Sequence, residues 1–153
     1  MRKTNRMCRE PYESALVLGL GSSGVAAARL LAGEGTRVTA VDSADTPALR
    51  EKAAGIEAAG VNALLGVGEL PGGDFSVCVV SPGIPAASAW VRAAGSRGIE
   101  TLAELELGWL RCNCKVLAVT GANGKSTLAK LCKEAIELAG AKAEVAGNYG
   151  LPV

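Results

Sequence analysis

Histidine is absent from this 153-residue chain. Its absence excludes histidine-based catalytic triads and histidine metal sites within these residues. Aromatic residues are scarce, at 3% against 49% hydrophobic overall, so any core must be aliphatic and built from Ala, Val, Leu and Ile. An excess of either charge is also missing: 16 Lys and Arg face 15 Asp and Glu, for a net +1. That balance gives no basic surface for nucleic acid. Fixed-period repeats and low-complexity segments are not visible. No apolar run is long enough for a good membrane span. The best stretch, residues 15–28, is glycine-rich, and Arg29 interrupts its continuation.

Arg2, Lys3, Arg6 and Arg9 precede that stretch, and Ala26-Ala27-Ala28 resembles a cleavage site, a layout shared with signal peptides. Glu10 and Glu13 stand just before the run and glycines interrupt it, so residues 1–10 are read instead as a disordered basic tail. Cysteines are few and scattered: Cys8, Cys78, Cys112, Cys114 and Cys132. Cys112 and Cys114 are one residue apart, with no second pair to complete a zinc site. Reduced thiols in a cytoplasmic protein are the default reading of this set.

What is present is glycine, 20 residues of it, in a chain long enough for one domain, or a small domain plus part of another. Strand-like runs alternate with helix-like ones. Strands are expected at 14–18, 36–41, 61–65, 75–80, 99–101, 115–119 and 142–146. Helices are expected at 25–32, 47–59, 86–97, 102–110 and 128–136. This alternation predicts an α/β fold with a mainly parallel sheet covered on both faces.

Two glycine-rich strand-to-helix turns carry the chemistry. The second reads Thr120-Gly121-Ala122-Asn123-Gly124-Lys125-Ser126-Thr127. Glycines there let backbone N–H groups turn inward onto phosphate oxygens, and the following helix start adds partial positive charge. Lys125 is placed to reach the outer phosphates, and the hydroxyl of Ser126 or Thr127 to ligate Mg²⁺. The loop is shorter than the usual phosphate cradle, because Val119 stands where a glycine is expected.

The first turn reads Gly19-Leu20-Gly21-Ser22-Ser23-Gly24, between a strand and a helix, with Asp42 at the end of the next strand. That is the dinucleotide fingerprint with an acid placed for a ribose or a base N–H. Taken alone it would suggest an NAD enzyme; the opposing reading is a packing turn without ligand. Ser81-Pro82-Gly83-Ile84-Pro85 closes another apolar strand, and is either a ligand-lining loop or a rigid connection.

These motifs stand in one order with Gly147-Asn148-Tyr149-Gly150-Leu151-Pro152, and together they resemble the Mur ligases over residues 14–153. The short loop with Asn before Gly-Lys is typical of that family. The Ser-Pro-Gly-Ile and Gly-Asn-x-Gly-Leu-Pro runs favour its glutamate-adding branch. The resemblance implies a Rossmann-like parallel-sheet domain over residues 1–100, binding the UDP-sugar. It implies the start of a P-loop α/β central domain, binding ATP, over residues 101–153. Ser22 and Ser23 would contact the diphosphate, Asp42 and Ser43 the uracil end, Gly83 the same cleft and Asn148 the muramoyl-alanine part. Residues 121–127 would hold ATP and Mg²⁺, with Lys125 neutralising the transferred phosphate. The implied reaction joins D-glutamate to UDP-N-acetylmuramoyl-L-alanine through an acyl phosphate, in the cytoplasm, with no nucleic-acid or membrane partner.

Two departures stand out. Tyr149 replaces a residue that is commonly small and aliphatic. The family's other Mg²⁺ ligands, its carbamylated lysine and its D-glutamate-binding domain have no counterpart in these residues. The expectation is therefore an inactive fragment. Rival readings are a non-catalytic nucleotide-binding module, a folylpolyglutamate-type ligase and an NAD-dependent dehydrogenase.

Overall fold

The computed structural model describes residues 10–147. Five strands form one sheet: β1 (Ser14–Leu18), β2 (Arg37–Val41), β3 (Asn62–Leu64), β4 (Val77–Val80) and β5 (Glu100–Ala103). The order across the sheet is β3-β2-β1-β4-β5, and every neighbouring pair is parallel. Helices α1 (Ser22–Gly33), α2 (Pro47–Glu57) and α3 (Ala89–Ser96) connect β1 to β2, β2 to β3 and β4 to β5, as parallel pairing requires, and α4 (Glu104–Arg111) follows β5.

The period of two along each strand sorts the core into two layers. Ala15, Val17, Val38, Ala40, Val77 and Val79 face one side, where they meet Leu31 of α1, Ile56 of α2 and Leu107 of α4. Leu16, Leu18, Val41 and Cys78 face the other, where they meet Trp90 and Ala94 of α3. Leu16 and Leu18 are fully buried, and each such side chain contributes about 1.5–3 kcal/mol. Trp90 reconciles its bulk with its polar edge by donating Nε1–H to the Gly68 carbonyl at 3.1 Å.

Local chemistry sets the helix starts. Thr46 caps α2 by accepting from the Leu49 N–H, with Pro47 in the first turn. Ser88 caps α3 in the same way through the Val91 N–H. Arg111, the last residue of α4, makes a two-pronged pair with Glu34 at the end of α1, at 2.6 and 3.1 Å, and lies over the Tyr12 ring.

The described chain divides into two compact units between Arg111 and Cys112. The expected division at 100/101 falls instead at the start of β5, which pairs with β4 from Val77↔Glu100 to Val80↔Ala103. Leu102 and Leu107 belong to the same core layer as α1, so β5 and α4 stay with the first sheet.

The second unit holds one helix among its described residues, α5 (Lys125–Leu138). The strands expected at 115–119 and 142–146 are not formed there. A strand is a property of a pair, and these apolar runs have no described ladder partner. No residue of α5 is buried. Leu117, Leu131 and Leu138 are all exposed.

Candidate functional site

In the sheet order, the chain leaves β1 toward β2 on one side and reaches β4 on the other. The crevice outside the carboxyl ends of β1 and β4 is therefore the topological switch point, where open α/β sheets take ligands. Both upstream motifs end there. The 19–24 turn follows β1, Asp42 follows β2, and the Ser81 loop follows β4.

Hydrogen bonds tie these segments together. The Asp42 carboxylate accepts from the Leu20 N–H at 2.8 Å through Oδ2, and from the Ala44 N–H at 3.0 Å through Oδ1. The Gly19 N–H donates to the Val41 carbonyl at 2.8 Å. Buried Ser81 donates its hydroxyl to the Gly19 carbonyl at 3.0 Å. Gly24 completes the closure: a Cβ there would lie 1.8 Å from the Gly19 oxygen and 2.8 Å from Ser81 Oγ. The last glycine of the fingerprint is thus a packing requirement.

The turn presents the start of α1. Gly21 is the N-cap, no side chain caps it, and the first turn holds no acidic residue. Ser22 is exposed and Ser23 half-buried. Uncapped N–H groups with two hydroxyls suit an anion. Asp42 spends one lone pair on each of its two backbone bonds and keeps acceptor capacity for a donor on a ligand. Ser43 is exposed beside it. Gly83 is exposed too, with nothing within 4 Å of the position of an added Cβ, so no protein contact demands glycine there.

The structure adds two groups that the motif reading passed over. Ser81 was grouped with its loop, yet its side chain turns inward to hold Gly19. The Leu20 backbone N–H anchors Asp42. A serine before Pro-Gly reads locally as loop, so only the parallel pairing of β1 and β4 reveals its target.

The second turn belongs to the other unit. Gly124 is the N-cap of α5 at φ 76, a left-handed conformation that glycine adopts without steric cost. No side chain caps this helix and its first turn has no acid. Lys125 folds back, its Nζ donating to the Gly121 carbonyl at 2.6 Å and the Ala122 carbonyl at 3.1 Å. Residues 121–127 are all exposed. The arrangement fits phosphate: a free helix start, a glycine turn and a nearby ammonium. Asn148 and Tyr149 lie outside the described residues.

A separate cavity of about 420 Å³ is lined by Glu13, Ser14, Arg37, Asp74, Phe75 and Ser76. It lies at the opposite, amino ends of β1, β2 and β4, and its polar groups bond one another. Arg37 pairs with Glu13 at 3.0 Å, and Ser14 donates to the Asp74 carbonyl at 3.0 Å. It is not the ligand edge of the sheet.

A parallel sheet with a glycine turn at its switch point defines a Rossmann-like α/β domain, and comparison with known proteins narrows the class. The family described as "Mur ligase MurD-like, N-terminal domain" matches residues 13–103. The chain belongs to that Mur ligase family. It is 39% identical over 139 residues to a UDP-N-acetylmuramoylalanine--D-glutamate ligase of Frankia casuarinae, covering 90% of this chain and 30% of the relative. A protein of the same name from Gloeobacter violaceus is 43% identical over 141 residues, covering 90% of this chain and 32% of its own. The chain therefore spans about a third of the length of these curated relatives. The crystal structure of a murein peptide ligase from Psychrobacter arcticus shares the fold, with a TM-score of 0.53 at 19% identity over 84% of this chain and 27% of that one.

Proposed function

We propose that these residues form the UDP-sugar-binding domain, and the first part of the ATP-binding domain, of a ligase that joins D-glutamate to UDP-N-acetylmuramoyl-L-alanine in cytoplasmic peptidoglycan precursor synthesis. The observation that carries the reading is the switch-point turn. Asp42 and Ser81 hold it so that the uncapped start of α1 faces the ligand edge of the sheet. The names borne by relatives about 40% identical over most of this chain supply the substrate.

In this reading Ser22 and Ser23 bind the diphosphate at the positive end of α1. Asp42 accepts from the uracil N–H, with Ser43 beside it and Gly83 lining the same cleft. Asn148 approaches the muramoyl-alanine. In the second unit, Gly121, Ala122, Asn123 and Gly124 offer backbone N–H groups to ATP, and Lys125 exchanges its loop carbonyls for the outer phosphates. Ser126 or Thr127 would hold Mg²⁺, which supplies further charge neutralisation when bound. The role of these residues is positioning and charge compensation while the substrate carboxylate becomes an acyl phosphate and the amine of D-glutamate displaces phosphate.

Since the chain matches about a third of its relatives, the 153 residues alone are expected to bind without forming the amide bond. Calorimetry tests the assignment with UDP-N-acetylmuramoyl-L-alanine, UDP, ATP and NAD. Saturable binding of the UDP-sugar and UDP, without response to NAD, is the expected outcome. NAD binding with no response to the UDP-sugar overturns it. Formation of UDP-muramoyl-dipeptide by this polypeptide alone would overturn the expectation of inactivity.

A further inference from the structure

The cysteines differ sharply in setting. Cys78 is fully buried on β4, where burial pushes its thiol up to about 11. A thiol of that kind is inert, because the thiolate is the nucleophile. Cys132 lies half-buried on α5. Cys112 and Cys114 directly follow α4, on a segment with no regular structure, and their sulfurs are 3.1 Å apart. Cys114 is exposed and Cys112 half-buried.

That separation is closer than non-bonded sulfurs usually sit, and about 1 Å longer than a disulfide bond of about 2.05 Å. The intervening Asn113 is exposed and lies outside any helix or ladder. Closing the bond therefore disrupts no element of the fold. Neither thiol takes part in the nucleotide chemistry proposed above.

We propose that Cys112 and Cys114 are a reversible oxidation site, a dithiol that closes to an internal disulfide by exchange with small aliphatic disulfides. One thiolate attacks a sulfur of the small disulfide and expels one small thiolate, leaving a mixed disulfide. The second cysteine, deprotonated, attacks the protein sulfur of that bond and expels the other small thiolate. Two protein thiols are oxidised, one disulfide is reduced to two thiols, and the two protein protons pass to the leaving thiolates. The bond encloses only Asn113. Such a tight ring constrains the unfolded chain little and is readily reopened, which suits a reversible site rather than a structural one.

The test uses the full chain with Cys8→Ser, treated with oxidised glutathione, alkylated and mapped by mass spectrometry. The expected product carries a Cys112–Cys114 disulfide and no glutathione, formed at least about tenfold faster than any modification of Cys78. Cys112→Ser and Cys114→Ser each retain one glutathione on the remaining thiol, since the resolving group is gone. Cys132→Ser leaves the product unchanged. Phenylarsine oxide, which binds paired thiols without redox chemistry, provides a second readout. It should bind the parent, and each single variant should lose at least about tenfold in affinity. Persistent glutathione on both cysteines of the parent overturns the proposal. So does a disulfide from either of them to Cys132, or arsenical binding that survives the single substitutions.

Discussion

The turn at 19–24 rests on a five-stranded sheet and is held from three directions, by Val41, Asp42 and Ser81. The turn at 120–124 stands before a helix with no buried residue, and the side chain that bonds its carbonyls is its own Lys125. Both are glycine turns that open an uncapped helix without an acidic first turn. Local sequence is enough to make an anion-ready helix start. It is not enough to make a rigid one. Rigidity in the first unit comes from side chains far away in sequence: Asp42 reaches back 22 residues and Ser81 reaches back 62.

The sharpest way to break this comparison is at Gly24. Gly24→Ala places a methyl group in contact with backbone oxygen that cannot move without opening the turn. We expect a loss of about 3 kcal/mol or more in denaturant unfolding, beyond ordinary overpacking. Gly83→Ala, on the same ligand edge but in open space, should stay within about 0.5 kcal/mol. Equal effects at the two positions would remove the packing explanation.

A leucine pair gives the next largest contrast. Leu31 in α1 is fully buried, whereas Leu131 in α5 is 57% exposed. Leu31→Ala should cost about 2–5 kcal/mol of stability. Leu131→Ala should cost no more than about 0.5 kcal/mol. A large loss at Leu131 would mean that its apolar face is covered in solution.

The smallest effect is a pH dependence confined to the first unit. Cys78 titrates at 9.0 when unperturbed and at about 11 in the fold, because burial disfavours its thiolate. Above the unperturbed value the unfolded chain gives up this proton and the folded chain keeps it. Stability should therefore fall as pH rises from about 9 to about 11, by up to about 2–3 kcal/mol. Cys78→Ala should flatten that slope. An unchanged slope in the variant would assign it to other groups.

Much of the first unit was legible because its signals are local. The unbroken apolar runs at 15–18 and 77–80 are what parallel strands with both faces covered must look like. The fingerprint spacing placed Asp42 correctly at the end of β2. Its bonds to Leu20 and Ala44 were beyond reach, since they depend on how β1 and β2 are set in register. The compact units divide after Arg111 rather than at 100/101 for a related reason. Residues 99–101 read as a short strand, but which neighbour that strand pairs with, here β4, is decided in three dimensions. In the second unit, Val116, Leu117 and Val119 carry strand propensity, but propensity does not provide the neighbouring strand that would use it.

The fold-back of Lys125 changes what an affinity at the second turn would mean. With Gly121 and Ala122 already accepting from its ammonium, the turn is occupied by a piece of itself. An incoming anion does not meet a bare cation; it takes part in an exchange, releasing two carbonyls to solvent as it recruits the lysine. Weakly charged anions gain little from such a swap, whereas densely charged ones gain much. In the function proposed above, the loop would thereby discriminate by charge density before any contact with the rest of a ligand is made.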